Sequence, residues 1–213
     1  MSRLVLASGS PRRREILAGL GYEFTVRPVD LDESQRPGEG AEDYARRLAR
    51  EKAAADVRAG EVVLAADTIV VLEGRLLGKP RDAADAAAML RELAGRSHDV
   101  VSGVAVLDAG GEPATAIERT TVRFAPLSRD EIDWYVASGE PMDKAGAYAI
   151  QGRGSLFVEA IAGNYSNVVG LPVPAVYRLL SGRGIPRPGG RTGSAGTLSP
   201  APPAAGDGLS RRT

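Results

Sequence analysis

The segment from Val62 to Leu72, which reads VVLAADTIVVL, restricts the possible folds of this chain more than any other feature. All of its residues are apolar except Asp67 and Thr68. Such a long apolar run, rich in β-branched residues, is typical of a strand that other elements cover on both faces. An unpaired carboxylate there would be strongly destabilising. Asp67 is therefore either a hydrogen-bonded residue at a kink in the strand, or a catalytic or metal-associated group at the carboxyl end of a strand segment.

Strand and helix patterns alternate on both sides of this segment and predict an α/β fold. Other apolar runs predict strands at 4–7, 100–107, 114–124 and 155–161. Apolar residues at helical spacing predict helices at 42–58, 82–94, 129–137 and 173–180, and a first helix that begins at Ser10-Pro11 and ends at Gly21. Because some of the predicted strands are neighbours in the chain, we expect a mixed sheet.

The composition of the chain changes near residue 186. Residues 186–213 are rich in Pro, Gly, Ser and Ala, with two leucines and no aromatic or β-branched aliphatic residue. A segment of this kind cannot bury enough apolar surface to offset the entropy of ordering it. The sequence therefore predicts one domain at 1–185 and a disordered tail at 186–213.

Composition and charge exclude several functional classes. The 27 basic and 27 acidic residues leave a formal net charge of zero, so we expect no nucleic-acid partner. The chain has no cysteine, and His98 is its one histidine, which excludes thiolate chemistry and multi-histidine metal sites. Its N-terminus does not resemble a signal peptide, and no apolar run is long enough to span a bilayer. We therefore expect a cytoplasmic protein with no membrane partner.

Three arginines, Arg12, Arg13 and Arg14, lie in the first turn of the first predicted helix. Cations are unfavourable there because of the helix dipole, whereas the free N–H groups of that turn attract anions. The segment is therefore either a solvated basic helix start or a site for a polyphosphate.

Three other charged residues are candidates for the same chemistry. Lys52 follows Leu48 and Tyr44 on the inward stripe of its helix, where it either extends its stem to solvent or serves a buried site. Lys79 lies in a tight loop after a strand, and Glu33 lies in an acidic loop. Each of these two is either an ordinary solvated charge or part of a site.

Residues 143–154 contain three glycines around a glutamine, Gln151, that is expected to be buried. The segment is either a turn-rich connection or main chain that approaches a ligand closely. His98 has no partner nearby in the sequence, so a structural role is expected for it. P-loop, Rossmann and nucleophile-elbow motifs do not occur. Arginine, lysine and carboxylate groups without a nucleophile favour metal-assisted attack of water on phosphorus.

Read in order, several segments resemble the Maf family of nucleoside triphosphate pyrophosphatases, and in particular its branch that acts on dTTP and UTP. The matching segments are LASGSPRRREIL at 6–17, REKA at 50–53, LAADTIV at 64–70, LGKP at 77–80, GRSHDVVSGV at 95–104, and the long run from EPMDKAGAYAIQGRG to NVVGLP at 140–172. Each segment is weak alone, but the set in this order is specific and spans residues 4–182.

The resemblance implies a fold like that of the inosine triphosphate pyrophosphatases, with a mixed twisted sheet in two lobes and a central cleft. It implies a homodimer that hydrolyses the bond between the α- and β-phosphates, with Mg²⁺ or Mn²⁺ as cofactor. It further implies removal of non-standard nucleotides and a link to cell-division arrest.

The resemblance also assigns roles to single residues. Asp67 matches the catalytic residue, which either accepts a proton from water or holds the metal that activates it. The positions that bind phosphate match Ser8, Arg12, Arg13, Lys52 and Lys79. The positions that bind metal match Glu33 and Asp67, and those that determine base specificity match Arg13, Thr68 and Gln151.

Three alternatives remain open at this point. The protein could bind a nucleotide and inhibit septum formation without turnover. It could be a pyrophosphatase with another base preference. It could also be a phosphotransferase, which would need a second acceptor site and would release no free pyrophosphate.

Overall fold

The computed structural model describes residues 2–189 of the 213-residue chain. Seven strands form one sheet in the order β2-β1-β3-β5-β6-β7, and β4 pairs with β3 beside that path. The strands are β1 (Arg3–Leu6), β2 (Thr25–Val26), β3 (Glu61–Leu72), β4 (Arg75–Leu77), β5 (Ser97–Asp108), β6 (Ala114–Phe124) and β7 (Val158–Ala162). The helices are α1 (Pro11–Gly19), α2 (Ala41–Ala54), α3 (Ala83–Leu93), α4 (Arg129–Ala137), α5 (Tyr165–Val169) and α6 (Val173–Gly182).

The sheet combines parallel and antiparallel pairing, so the expected mixed α/β fold is confirmed. Strand β1 runs parallel to both β2 and β3, whereas β3, β5, β6 and β7 are successively antiparallel. Strand β3 lies at the centre, and its pairing with β5 is continuous from Val62 opposite Asp108 to Val71 opposite Asp99. This position explains the long apolar run, because helices and neighbouring strands cover β3 on both faces.

Within residues 2–189, the opposite edge of β3 is paired only at its two ends. Strand β1 pairs with Glu61 through Leu64, and β4 pairs with Val70 through Leu72. Between those two partners, no strand of the described chain pairs with residues 65–69 on that edge. The sheet therefore has a gap beside Asp67 and Thr68.

The hydrophobic core is divided at the same place. Residues 62–66 of β3 pack with β1 and with α1, α2 and α6, in clusters that contain Leu6, Leu17 and Ala49. Residues 69–72 pack with the other half of the molecule, in clusters that contain Leu90 and Phe124 on one face and Leu48 on the other. Asp67 and Thr68 are thus the polar residues between two apolar regions, at a point where the sheet leaves room for a cleft.

Some expected boundaries were wrong. The strand predicted at 155–161 begins only at Val158, because Gly152–Phe157 forms a 3-10 helix that starts with Gly152 at φ +78°. Helix α2 ends at Ala54 instead of residue 58. Asp67 lies within a continuous strand, neither at a kink nor at the carboxyl end of a strand segment. Strands β2 and β4 and helix α5 were not predicted, because strands of two and three residues and a helix of five residues are too short to show a periodic pattern.

Only a small part of the predicted tail can be compared with the structure. Residues 186–189 are described, and Pro188 lies beside Gly21, where a Cβ would be 3.3 Å from the Pro188 Cβ. Residues 190–213 lie outside the described residues. Among residues 2–189, no helix is both long and apolar enough to cross a membrane.

Candidate active site

A cleft of about 520 Å³ lies at the gap in the sheet. The cleft is lined by all of the residues that were predicted to bind phosphate, metal or base: Ser8, Arg12, Arg13, Glu33, Lys52, Asp67, Thr68, Lys79 and Gln151. These residues come from six separate segments of the chain. The fold therefore brings the predicted site residues together in one place.

One wall of the cleft is the turn from β1 into α1. Ser10 is the N-cap of α1, and its side chain accepts a hydrogen bond from the Arg13 N–H. Pro11 occupies the first turn, where its fixed φ suits a helix and its missing N–H is not needed. The Ser10 N–H donates to the buried Ser8 hydroxyl at 3.2 Å. The sequence thus defines this turn locally, as its capping residues predict.

Arg13 extends from this turn into the gap in the sheet. Its guanidinium donates to the Gly170 carbonyl (2.8 Å), the Ser8 hydroxyl (3.2 Å), the Ala66 carbonyl (2.7 Å) and the Thr68 hydroxyl (3.1 Å). Ala66 lies on the unpaired stretch of β3, so Arg13 supplies a donor that a strand would otherwise provide. Burial lowers the pKa of Arg13, while the Asp67 carboxylate acts in the opposite direction. The solvated basic helix start is therefore the wrong interpretation for Arg13, although it suits the exposed Arg14.

Lys52 and Asp67 form a buried ion pair at the base of the cleft. The Lys52 Nζ lies 2.7 Å from Asp67 Oδ1 and 2.6 Å from Glu33 Oε1. Lys52 and Asp67 are only 8% and 7% exposed, whereas about half of the Glu33 side chain is open to solvent. The stem of Lys52 therefore does not extend to solvent, and its ammonium joins the two carboxylates instead. This pairing also explains how Asp67 is accommodated in an apolar strand.

The rest of the cleft lining includes charges that are more exposed. Lys79 is exposed and makes no ion pair among residues 2–189. Arg12 lies 3.3 Å from Asp143 Oδ2, and the Lys144 ammonium contacts the other Asp143 oxygen. Burial would raise the pKa of Asp143, but Lys144 and Arg12 outweigh that effect and lower it.

Asp143 and Lys144 line the cleft too, although neither was predicted individually as a site residue. They begin the glycine-containing segment whose main chain was expected to approach a ligand. The adjacent charges in Asp143-Lys144 were a signal that could have identified them.

The residues predicted to bind the base, Arg13, Thr68 and Gln151, all line the cleft. The Thr68 hydroxyl bonds to Ser102 at 2.7 Å and accepts from Arg13. Gln151 was expected to be buried, but the structure shows it exposed on the cleft lining. Its preceding residues, Ala149 and Ile150, are the buried ones. The Gln151 amide is thus accessible to a ligand in the cleft.

His98 lies behind the cleft and not on its lining. It is 3% exposed, packs edge-on against Phe124 and Tyr148, and has its Nε2 2.8 Å from the Tyr148 hydroxyl. Burial lowers the pKa of His98 to about 4. A neutral ring within an aromatic cluster agrees with the structural role expected for it.

The chain is similar to known proteins over most of its length. The family model described as Maf-like protein matches residues 3–183. The dTTP/UTP pyrophosphatase of Anaeromyxobacter dehalogenans (strain 2CP-C) is 57% identical over 189 residues, which cover 87% of this chain and 96% of that protein. The dTTP/UTP pyrophosphatase of Myxococcus xanthus (strain DK1622) is 56% identical over 187 residues, with 87% and 94% covered.

Among solved structures, the Staphylococcus aureus Ham1 protein is similar to 85% of this chain over its full length, with 16% identity and a TM-score of 0.47. The family model covers most of the chain and all the segments that line the cleft. The chain therefore belongs to the family of Maf-like proteins.

Proposed function

We propose that this protein is a nucleoside triphosphate pyrophosphatase that hydrolyses dTTP and UTP to the monophosphate and pyrophosphate. The observation that carries the proposal is the buried Lys52–Asp67 pair at the base of a cleft whose walls are rich in cations. The names of the Anaeromyxobacter and Myxococcus relatives support the same reaction.

The triphosphate lies along the cleft, beside its exposed cations. The exposed Lys79 and the half-buried Arg12 have donors that can turn to phosphate oxygens. Arg13 has a different role, because four of its five N–H groups already donate hydrogen bonds within the protein. It keeps a positive charge close to the substrate and fixes the positions of Ser8 and Thr68, and at most one N–H remains for a phosphate.

Asp67 acts as the proton acceptor. Its Oδ1 is held by Lys52, and its Oδ2 has no hydrogen-bond partner among the described residues. Water that donates to Oδ2 attacks the α-phosphorus, and the bond to the β-phosphate oxygen breaks. The proton passes to Asp67 and the electron pair leaves with pyrophosphate, whose charge Lys79 and Arg12 offset.

A divalent cation, Mg²⁺ or Mn²⁺, belongs to this proposal, and the donor set fits one. Glu33 and Asp67 provide two neighbouring hard carboxylates on the cleft lining. Within residues 2–189 no group of three or more such ligands occurs. Mg²⁺ commonly binds through one or two carboxylates and completes its shell with water and substrate phosphate oxygens. When bound, the ion would polarise phosphate oxygens and neutralise developing charge.

The exposed amide of Gln151 supports the choice of bases. Thymine and uracil both present an acceptor, an N–H donor and an acceptor along their pairing edge, and an amide can both donate and accept. Cytosine replaces one of those acceptors with an amino group, which leaves polar atoms unpaired at a cost of about 1–3 kcal/mol. We therefore expect kcat/KM for dTTP and UTP to exceed that for CTP by roughly ten- to a hundredfold.

A nucleotide panel tests the proposal. The purified full chain is incubated with dTTP, UTP, CTP and GTP, and the products are separated by chromatography. The monophosphate and pyrophosphate are expected from dTTP and UTP, with loss of activity in chelator and recovery with Mg²⁺ or Mn²⁺. A diphosphate with orthophosphate would contradict the proposed bond cleavage. Tight nucleotide binding without any product would favour a binding protein.

We also propose cytoplasmic location and a homodimer, without a nucleic-acid partner. The substrate class supports the location, and a zero net charge agrees with small-molecule substrates. Light scattering on a size-exclusion column decides the oligomeric state.

A further inference from the structure

Glu140 binds the main chain on the C-terminal side of Gln151. Its Oε2 accepts from the Arg153 N–H at 3.1 Å, and its Oε1 accepts from the Gly154 N–H at 3.0 Å. Glu140 lies in a short 3-10 helix, Glu140–Asp143, which follows α4 after one turn. One carboxylate therefore holds two neighbouring amides just after the residue nominated for base recognition.

Tyr135 binds the main chain on the N-terminal side of Gln151. Its hydroxyl accepts from the Ala149 N–H at 3.1 Å and donates to Glu140 Oε1 at 2.9 Å. The Tyr135 side chain, which projects from α4, is completely buried. Its ring packs edge-on against Phe157, with the ring centroids 5.1 Å apart. The phenol and the carboxylate thus form one hydrogen-bonded unit that reaches both sides of Gln151.

Two glycines allow this close approach. A Cβ on Gly152 would lie 2.8 Å from Glu140 Oε2, and Gly152 also has φ +78°. A Cβ on Gly154 would lie 2.3 Å from the Ala149 carbonyl oxygen and 2.7 Å from the Tyr135 hydroxyl. Side chains at either position would separate the segment from the two residues that hold it. The main chain from 149 to 154 is therefore built to fit Tyr135 and Glu140.

We propose that Tyr135 and Glu140 are positioning residues that determine base selectivity by fixing the main chain on both sides of Gln151. The inference rests on the proposed function and extends it, because neither residue lines the cleft. An amide distinguishes the edges of uracil and cytosine only if its donor and acceptor stay in place. Glu140 and Tyr135 provide that constraint from behind the cleft wall.

Glu140→Gln tests this inference with little change of shape. A carboxylate has two acceptor oxygens, whereas an amide has one acceptor and an NH₂ group that would face another N–H donor. One of the Arg153 and Gly154 amides therefore loses its partner. We expect kcat/KM for dTTP and UTP to fall roughly tenfold, and that for CTP to change less than about threefold, so that discrimination decreases. Tyr135→Phe, which leaves the Ala149 N–H unpaired, should act in the same direction.

Glu131→Gln is the matched control. Glu131 forms a capping box with Ser128 at the start of α4, and its carboxylate makes no hydrogen bond to residues 149–154. This change keeps the capping geometry but removes a negative charge from the first turn of α4, so it should lower the melting temperature slightly without altering the ratio of kcat/KM for dTTP and CTP. A drop in that ratio with Glu131→Gln would mean that general destabilisation explains the effect, and the positioning role would be wrong.

Amide hydrogen exchange over residues 145–157 provides a readout that does not depend on turnover. Protection in this segment should fall in Glu140→Gln and Tyr135→Phe but stay at the wild-type level in Glu131→Gln. Unchanged protection in the first two variants would overturn the inference, as would lost protection with wild-type base discrimination. If the wild type releases no pyrophosphate, the proposed reaction fails on its own, and the same ratio measured as Kd for dTTP and CTP decides the role of Glu140.

Discussion

The base of the cleft and its mouth carry similar charges in different environments. At the base, Arg13, Lys52 and Asp67 are mostly enclosed by protein, and each already has a partner from another element. At the mouth, Lys79 is exposed, and Arg12 contacts an Asp143 whose side chain is 61% exposed. The groups at the base are thus held in place by the fold, whereas those at the mouth can rearrange around a ligand.

This difference separates two tasks. Buried pairs lose little further order when a reaction occurs, so they suit proton transfer and electrostatic stabilisation. Exposed lysines and arginines have free donors but are screened by water and salt, so each contributes modestly to binding. We therefore expect substitutions at the base to damage turnover or stability severely, and substitutions at the mouth mainly to raise KM.

The largest effect is expected for Asp67→Asn. The asparagine retains the shape of Asp67 but cannot accept the proton, and it leaves Lys52 paired only with Glu33. Loss of a general base typically reduces the rate by roughly 10²–10⁴-fold. Pyrophosphate release measures this effect, and circular dichroism checks that the variant is folded. A folded variant with more than about a tenth of wild-type turnover would show that Asp67 is not the base.

The second-largest effect is expected for Arg13→Lys, and Arg12→Lys is the substitution with which it is compared. Arg13→Lys keeps the charge but cannot reach all four acceptors, including the buried Ala66 carbonyl. We expect unfolding free energy to fall by about 1–3 kcal/mol and turnover of dTTP to fall roughly ten- to a hundredfold. Arg12→Lys should leave urea denaturation unchanged within about 0.5 kcal/mol and raise KM only. Equal losses of stability in the two variants would remove the distinction between base and mouth.

A smaller effect is expected for Lys79→Ala. Its ammonium is exposed and has no ion-pair partner within residues 2–189, so its removal breaks no intramolecular ion pair there. KM for dTTP should rise roughly tenfold while the melting temperature stays constant. The effect should become smaller as salt is raised, because exposed charges are screened. Initial rates at two salt concentrations measure it, and a KM that does not change would exclude Lys79 from phosphate binding.

Much of the cleft could be predicted from the sequence, because the patterns that indicate its residues are local. Ser10-Pro11 identifies the start of α1, and the apolar run around Asp67 identifies a buried strand with one unusual carboxylate. These patterns depend on capping preferences and on side-chain periodicity, both of which act over a few residues.

The features that could not be predicted depend on where neighbouring strands end along the sheet. The gap in the sheet exists because β1 ends at Leu6, opposite Leu64, and β4 ends at Leu77, opposite Val70. Neither end marks the open edge of β3 in the sequence. The hydrogen bonds from Arg13 to Ala66 and to Gly170 join residues 53 and 157 positions apart. The predicted burial of Gln151 was wrong for a related reason, because the neighbouring Ile150 is what fills the core.

The smallest effect on turnover is expected for His98→Gln, which separates burial from function. His98 is as buried as Asp67 but faces an aromatic cluster, so a glutamine that still bonds to Tyr148 should leave kcat/KM at pH 7–8 within about twofold. Stability should respond to pH instead. The pKa of His98 is about 4 in the folded protein against 6.5 when unfolded, so below pH 6.5 the unfolded chain binds a proton that the folded one does not. Wild-type stability should therefore fall between pH 6.5 and about 4, by on the order of 3 kcal/mol from this group, and the variant should lack that part of the loss. Urea denaturation of both proteins at a series of pH values measures the difference, and parallel stability curves would show that His98 is not held neutral by burial.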